Sequence, residues 1–487
     1  MKLRAISQGL HAPALSLLTA SLLVVGCGSE GSSSTSFGET GSGSGATDSD
    51  SNSGSNSDSN SGSNSDAMGT DSDSDPTEDP TDDPTDDPTD DPTDDPSGGG
   101  GVKFDVPVPD IPAGGGGCGG NGEVCGESEF SFIWVANSTQ HTVSKINTRD
   151  MVEEGRYYTR PDQSGSPSRT SVSIDGSAVV IANRYGGLTK IWADLADCED
   201  RNNNGMIDTS TGPNDIRPFN EDECIAWHNP FEGVSVQRPV AWTTGTYNEL
   251  TCVYEDQKIW TITGSGGSQG QCGQNSPLTV HRLDGETGEV EDSKVIPINE
   301  TDCGSLGAYG AAVDFDNNLW FYVWARFKVV RVMFDNLDHT VISGGSYGIT
   351  VDTEGRPWVD SGRRLNLQTL QWDNKIGNLP GSGGSGIAQD HQGRMWTATT
   401  GGVGWIDMET MQVGDTVPLP AGNLIYRGIA VDVDGFIWAI PLGNTQAFKI
   451  DPDTYQVESI GGLISPYTYS DMAGGQLNAV ACGTPAG

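Results

Sequence analysis

Residues 200–208 carry oxygen donors at the spacing that a calcium ion needs. The donors at positions 1, 3, 5 and 9 of this stretch are Asp200, Asn202, Asn204 and Asp208. Gly205 stands at position 6, where the backbone must turn, and Met206 follows it with a backbone carbonyl that could also bind the ion. Hard cations such as Ca²⁺ prefer this kind of all-oxygen ligand set. The stretch therefore predicts a calcium site with a structural role.

The same spacing resembles the calcium loops of EF-hands and dockerins. It departs from them at position 12, where Thr211 replaces the usual bidentate carboxylate, so Asp215 or Glu221 would have to supply that group or the affinity would be weak. The alternative is an asparagine-rich turn held by a disulfide between Cys198 and Cys224, which bracket the stretch.

A second set of candidate residues recurs at one position of an internal repeat. These residues are Arg169, Arg238, Tyr309, Tyr347, Arg427 and Gln476. Arg184, from a neighbouring loop of the repeat, should lie on the same face. Guanidinium groups recognise carboxylate, sulfate and phosphate, and walls of low dielectric constant strengthen the attraction. The set predicts a site for an anionic saccharide, small molecule or peptide, and the alternative is that the arginines pair with neighbouring carboxylates.

The repeat itself is an aspartate followed six residues later by a tryptophan. It occurs at Asp314/Trp320, Asp352/Trp358, Asp390/Trp396 and Asp432/Trp438. Glycine or asparagine stands between them, as a tight hairpin requires, and apolar runs flank each turn. With weaker copies upstream, the chain has seven units spaced about forty residues apart, which is a propeller period. The predicted fold is all-β, a seven-bladed β-propeller of four-stranded antiparallel blades, in which the tryptophans pack between blades.

The two ends of this domain should meet in the first blade. The first unit begins at its second strand, near Phe132, and has no inner strand before it. Gln476 to Val480 aligns with Arg427 to Val431, the inner strand of the last unit. We therefore expect residues 476–480 to form the missing strand and close the ring.

The N-terminal residues predict an export signal. Residues 1–26 contain Lys2 and Arg4 followed by an apolar run that is short for a membrane span. The run ends Leu-Val-Val-Gly-Cys27, which resembles a bacterial lipobox, so Cys27 is the predicted lipidation site. The resemblance implies an exported protein anchored by lipid to the outer membrane or cell surface; a plain signal peptide is the alternative.

Residues 27–112 form an acidic linker of Ser/Gly/Asp and Thr-Asp-Asp-Pro repeats. There are 19 acidic residues and no basic residue between Gly28 and Ser97, nearly half of the formal charge of −41. Such a segment has too few apolar residues to fold and should stay extended. A cysteine-containing lead-in, residues 113–129, connects it to the propeller, residues 130–487, which has insertions near 195–224 and 243–257. The acidic balance argues against a nucleic-acid partner, and we expect a monomer.

The Val-Asp-x-x-Gly-x-x-Trp pattern resembles the streptogramin B (virginiamycin B) lyase-like group of propellers, and more loosely the gluconolactonase and phosphotriesterase propellers. The resemblance covers residues 130–482 and lies in positions that determine fold rather than chemistry. Lyase activity would need a Glu/His pair on neighbouring inner strands, and no Glu-x-His occurs. We therefore predict a surface binding or scaffolding module and no catalytic residues; the alternative is a lyase-, lactonase- or phosphotriesterase-like enzyme with its site at the same mouth.

Overall fold

The computed structural model describes residues 130–481 apart from 249, 252, 305, 374–383 and 470. The predicted signal peptide, the linker with Cys27, and the lead-in lie outside the described residues. Within the described part, antiparallel sheets follow one another along the chain as the blades of a propeller. The structure thus confirms the predicted seven-bladed fold.

The first three blades contain the two insertions. Blade one comprises β1 (Phe132–Asn137), β2 (Thr142–Asn147) and β3 (Val152–Tyr158). Blade two comprises β4 (Pro167–Val172), β5 (Ala178–Asn183), β6 (Leu188–Trp192) and β7 (Ile225–Asn229). Blade three comprises β8 (Val236–Trp242), β11 (Lys258–Gly264), β12 (Leu278–Asp284) and β13 (Val290–Ile296), and its insertion forms a hairpin of β9 (Thr246–Asn248) and β10 (Val253–Glu255).

The last four blades are more regular. Blade four comprises β14 (Ala308–Val313), β15 (Leu319–Val323), β16 (Lys328–Val332) and β17 (His339–Ser343). Blade five comprises β18 (Ile349–Val351), β19 (Pro357–Val359), β20 (Arg363–Asn366) and β21 (Gln371–Trp372). Blade six comprises β22 (Ile387–Gln389), β23 (Arg394–Thr399), β24 (Gly402–Asp407) and β25 (Val413–Pro418). Blade seven comprises β26 (Tyr426–Val431), β27 (Ile437–Pro441), β28 (Gln446–Ile450) and β29 (Val457–Gly461). The described helices are three 3₁₀ turns (Leu195–Asp197, Phe219–Glu221 and Trp324–Arg326) and one α-helix, α1 (Gly475–Ala481).

The repeated aspartate links each hairpin turn to its tryptophan. In blade six, Asp390 Oδ1 accepts backbone N–H bonds from the turn, at 2.8–2.9 Å, while Oδ2 accepts the indole N–H of Trp396 at 2.7 Å. The equivalent indole bonds in blades four, five and seven measure 2.9, 2.7 and 2.8 Å. All four tryptophans are fully buried. The spacing of six residues is therefore the distance along the hairpin that lets one carboxylate cap the turn and hold the indole.

Blade one closes differently from the prediction. The segment 464–472 runs beside β1: Tyr467 N–H donates to the Ala136 carbonyl at 3.1 Å, and Trp134 N–H donates to the Met472 carbonyl at 2.9 Å. The C-terminal part of the chain thus takes the fourth place in the blade, as expected. The prediction that residues 476–480 form this strand was wrong, because those residues belong to α1.

The helix α1 forms because of local hydrogen bonds, which the comparison of residues 476–480 with residues 427–431 did not take into account. Asp471 accepts the backbone N–H groups of Gln476 and Leu477 at 3.4 and 3.3 Å, as a helix cap does. Leu477 and Val480, three residues apart, are both buried, which is a helical period rather than an alternating one. α1 contacts β14, β18, β22 and β26 and therefore occupies the central channel. Burial raises the pKa of Asp471 to about 6.

The two insertions lie on the face of the propeller opposite to the first residues of the inner strands. One joins β6 to β7 and is pinned by the Cys198–Cys224 disulfide that the sequence predicts. A second disulfide joins Cys272 to Cys303, a pairing that the sequence left open. Over the described ranges, no helix combines the length and apolar character required to cross a bilayer.

Candidate functional site

The structure brings five of the six predicted mouth residues together where the inner strands begin. The Arg169 guanidinium carbon lies 5.5 Å from the ring centre of Tyr309 and 5.8 Å from that of Tyr347. Arg238 lies 5.1 Å from the Tyr309 ring, and Arg427 lies 4.9 Å from the Tyr347 ring. Neighbouring inner strands place these residues side by side because each occupies the same position in its blade.

Gln476 is the exception. It lies in α1, and its side-chain amide donates to the Ile387 carbonyl at 2.9 Å. Its place on the mouth was inferred from the strand alignment, which the helix overturns. Gln476 therefore helps to fix the helix in the channel and does not belong to the mouth.

Two tyrosines that the sequence argument missed complete the mouth. Tyr467 and Tyr469 lie on the closing segment; the Tyr467 hydroxyl hydrogen-bonds with that of Tyr347, and the Tyr469 ring lies against the Arg169 guanidinium. Arg184 lies 4.9 Å from the Tyr467 ring. The signal available was the Tyr-Thr-Tyr alternation at 467–469, which places both rings on one side of an extended chain. We call these residues the mouth cluster: Arg169, Arg184, Arg238, Arg427, Tyr309, Tyr347, Tyr467 and Tyr469.

The mouth cluster concentrates positive charge that the described residues do not neutralise. Arg169, Arg184 and Arg238 make hydrogen bonds to carbonyl or hydroxyl oxygens, and within the described ranges none of the three has a carboxylate partner. Arg169 is wholly buried, and its Nε and Nη2 have no acceptor among the described atoms; the same holds for Nε of Arg184. Buried polar groups without a partner are costly and therefore uncommon in folded proteins, so these three nitrogens are exceptional features of the site.

The pKa values of residues in the mouth cluster are shifted by burial and by the neighbouring guanidinium groups. Burial lowers the pKa of Arg169 well below its usual value, and the guanidinium of Arg238 lowers it further. Burial also raises the pKa of Tyr347 well above its usual range. For Tyr467, burial raises the pKa, but Arg169, Arg238 and the bond from Tyr347 outweigh that effect and leave the pKa lowered. Among these groups, the lowered pKa of Tyr467 is the sign that the neighbouring guanidinium groups favour negative charge there.

Arg427 has a different environment. Its Nη1 donates to the Gly384 carbonyl, and its charge lowers the pKa of Asp360, although burial dominates and raises that pKa. Asp360 in turn accepts the backbone N–H groups of Gly384 and Ser385 at 3.1 and 3.0 Å. Arg427 is therefore close enough to Asp360 to lower its pKa, while its hydrogen bond goes to a backbone carbonyl.

In the predicted calcium loop, amide N–H groups rather than oxygen atoms face the carboxylate of Asp208. Asp200 accepts the backbone N–H groups of Asn204 and Gly205 at 3.1 and 2.8 Å, and Gly205 has a φ of +86°. The side-chain amides of Asn202 and Asn204 both point at Asp208 Oδ2, at 2.8 and 2.6 Å. The amide oxygens of Asn202 and Asn204 accept the backbone N–H groups of Asn204 and Met206 at 3.0 and 2.8 Å, so turning them toward an ion would break these bonds.

Two neighbours bear on whether calcium fits this loop. Arg217 Nη1 lies 3.2 Å from Asp208 Oδ1 and competes with a cation for that carboxylate. Glu223 is buried and accepts the backbone N–H groups of Asn202 and Asp208 at 3.1 and 2.7 Å, so it fixes the loop. The exposed Met206 side chain points away and leaves only its carbonyl as a donor. The described residues contain no group of three or more His, Cys, Asp or Glu side chains placed to hold a metal ion, and calcium at this loop stays a prediction.

The comparisons with known proteins find only weak likenesses to solved structures. No protein-family model and no curated protein matches the chain. A catalytically inactive virginiamycin B lyase from Staphylococcus aureus, crystallised with quinupristin, is 15% identical over 68% of this chain and 89% of its own, with a TM-score of 0.42. A streptogramin B lyase is 14% identical over 62% and 86%, with a TM-score of 0.42. Dihydro-heme d1 dehydrogenase NirN is 12% identical over 68% and 63%, with a TM-score of 0.40. This is a likeness of fold alone.

Proposed function

We propose that this protein is a propeller-based binding module that takes an anionic ligand at the mouth cluster. The observation that carries the proposal is the set of three buried or half-buried guanidinium groups, Arg169, Arg184 and Arg238, without a carboxylate partner in the described chain. Three such groups on aromatic faces suit a sulfate, a phosphate or the carboxylate of an acidic saccharide or peptide. The net charge of −41 makes this basic mouth a local exception, which favours selective binding there.

The positions of His228 and His281 favour binding over catalysis. His228 and His281 belong to β7 and β12, outside the inner ring, and burial lowers the pKa of each to about 4. Their partners are Thr189 for His228, and Thr263 for His281. General acid–base catalysis most often uses a histidine beside the ligand, and none belongs to the mouth cluster, where only the tyrosines could take that role.

The test compares a variant that lacks two arginines of the mouth cluster with a control variant that loses two positive charges elsewhere. We expect Arg184→Gln/Arg238→Gln to weaken binding of a sulfated oligosaccharide by at least about tenfold, because each charge-assisted contact contributes roughly 1.5–3 kcal/mol. The control, Arg149→Gln/Lys294→Gln, removes two cations that are paired with Asp434 and Asp338 outside the mouth. Titration calorimetry at low and moderate salt should find the control within about twofold of wild type. Equal binding by wild type and the mouth variant, or binding of neutral oligosaccharides as strong as sulfated ones, would refute the proposal.

We further propose that Cys27 is lipidated and that the acidic linker holds the propeller away from the membrane. The lipobox-like sequence and the linker composition support this proposal. Cys27→Ser should move the protein from the membrane fraction to the soluble fraction of fractionated cells. A variant that remains with membranes as fully as wild type does would contradict the proposal.

We propose that residues 200–208 bind calcium in a structural role. Chelation should then lower the melting temperature of the wild type by a few degrees, since a ligand that binds only the folded state stabilises it in proportion to its saturation. Asp200→Asn/Asp208→Asn should be insensitive to chelator, while Arg217→Gln, which removes the competing guanidinium, should bind calcium more tightly than wild type. A wild type whose melting is indifferent to both chelator and added calcium leaves only the turn interpretation.

A further inference from the structure

Two long loops of blade three meet beside the mouth cluster and are joined by a disulfide. One loop connects β11 to β12, and the other leads from β13 to β14, the inner strand of blade four. The disulfide between Cys272 and Cys303 links the two loops, and both cysteines are buried. Long loops have many conformations to lose on folding, so a covalent link between two of them restricts the backbone of both.

Arg238 of the mouth cluster is held by one carbonyl from each of these loops. Its Nη2 donates to the Gly270 carbonyl at 3.3 Å, two residues before Cys272. Its Nε donates to the Leu306 carbonyl at 3.3 Å, three residues after Cys303. Its Nη1 makes no hydrogen bond to the described residues. Two nitrogens therefore set the direction of the guanidinium, and the third is left for a ligand.

Backbone bonds fix both acceptors relative to the disulfide. The Cys303 carbonyl accepts the N–H of Gly307 at 2.7 Å, which closes a short turn around Leu306. In the other loop, Gly270 N–H donates to the Ser235 carbonyl at 3.0 Å, directly before the inner strand β8. The two loops, their disulfide and the inner strand of blade three thus form one connected support for the guanidinium.

We propose that the Cys272–Cys303 disulfide is a positioning element of the mouth cluster, which aims Arg238 at the anionic ligand and makes anion binding sensitive to reduction. The inference rests on the proposed function and adds to it a determinant of affinity. A dithiol would convert the disulfide to two thiols and would itself be oxidised to a disulfide. The two carbonyls would then move independently, and ordering the guanidinium on binding would cost more conformational entropy.

The first test removes each disulfide of the described chain in turn. We expect Cys272→Ala/Cys303→Ala to bind a sulfated oligosaccharide about fivefold more weakly than wild type, because the guanidinium is present but less ordered. The control, Cys198→Ala/Cys224→Ala, removes the disulfide of the insertion on the opposite face and should stay within about twofold of wild type. Dithiothreitol should weaken binding by wild type to the level of Cys272→Ala/Cys303→Ala and should not change that variant further.

A double-mutant cycle separates positioning of Arg238 from general loosening of the loops. Arg238→Gln alone should weaken binding by about tenfold. Combined with Cys272→Ala/Cys303→Ala it should still weaken binding by about tenfold, because the disulfide has no effect once the guanidinium is gone. Independent effects would instead multiply to about fiftyfold.

A measurement without ligand distinguishes this inference from the proposed function. Arg238 is one of the groups that lower the pKa of Tyr467. In Cys272→Ala/Cys303→Ala that pKa should rise, and the ultraviolet titration step that Tyr467→Phe removes identifies it. A rise in this pKa, together with a wild type that binds no anion, would refute the anion site and still support the positioning of Arg238 by the disulfide.

Three outcomes would overturn the inference. One is a variant without the Cys272–Cys303 disulfide that matches wild type in both anion affinity and the pKa of Tyr467. Another is an equal loss of affinity in the two cysteine variants, and the third is a cycle in which the two effects multiply. Circular dichroism would establish that each variant is folded at the temperature of measurement. If Cys272→Ala/Cys303→Ala does not fold, wild type reduced with dithiothreitol takes its place in the comparison with Cys198→Ala/Cys224→Ala.

Discussion

A chain that ends at Gly462 is expected to lose cooperative folding at 25 °C. The truncation removes the segment that pairs with β1 and the helix that fills the channel, and with them six large buried or half-buried apolar and aromatic side chains. These side chains belong to Leu463, Tyr467, Tyr469, Met472, Leu477 and Val480. At roughly 1.5–3 kcal/mol for each buried side chain, the loss approaches the whole stability of a typical domain. Circular dichroism during heating would show a broad transition or none.

Adding the missing piece in trans provides the control. A synthetic peptide of residues 463–481 should restore a cooperative transition to the truncated chain, because blade one then regains its fourth strand and loses its exposed edge. A truncated protein that melts at the wild-type temperature without the peptide would show that the closing segment does not hold the ring together.

Asp390→Ala is expected to have the largest effect of any single substitution within the repeats. The carboxylate is 1% exposed and accepts bonds from two backbone N–H groups, from Nε of Arg394 at 2.5 Å and from the Trp396 indole at 2.7 Å. Removing it leaves the buried indole N–H without an acceptor and takes one partner from the Arg394 guanidinium, which keeps the Pro452 carbonyl and Asp453. A loss of about 3–5 kcal/mol follows, equivalent to a melting temperature lower by roughly 6–10 °C.

Asp407→Ala is the matched control in the same blade. Asp407 also caps a turn, through the N–H and hydroxyl of Thr410 at 2.7 and 2.6 Å, but its carboxylate is exposed to water and holds no tryptophan. Its replacement should shift the melting temperature far less. Comparable shifts for the two variants would mean that the aspartates act only as turn residues and that the indole bond contributes little.

The fold was predictable because its determinants are local and repeated. The interval from Asp390 to Trp396 encodes a hairpin whose turn, strand and indole anchor all lie within seven residues, and four copies make the period visible. The positions of Arg169, Arg238 and Arg427 at the mouth followed from the same register. Their burial under Tyr467 and Tyr469 did not, because it depends on a segment that belongs to no repeat.

The wrong prediction for residues 476–480 and the missed contacts between blades share one physical origin. Gln476 to Val480 resembles an inner strand in its apolar residues, but Asp471 caps a helix there, and a similarity of composition cannot reveal a hydrogen bond. The contact of Lys190 with Trp242 was missed because these residues come from different blades and lie about fifty residues apart. Contacts between repeats are non-local, so the periodicity that predicts the blades does not report them.

A selenate soak of crystals of the full chain tests the central claim most directly, because the selenium position can be located by its anomalous scattering. The account predicts a selenate oxygen at about 2.8–3.0 Å from guanidinium nitrogens of Arg184 and Arg238, the usual length of a charge-assisted hydrogen bond. Arg149, on the opposite face and already paired with Asp434, should show none. A mouth without selenate at saturating concentration, or arginines that bind carboxylates of their own chain instead, would contradict the claim that this mouth is an anion site.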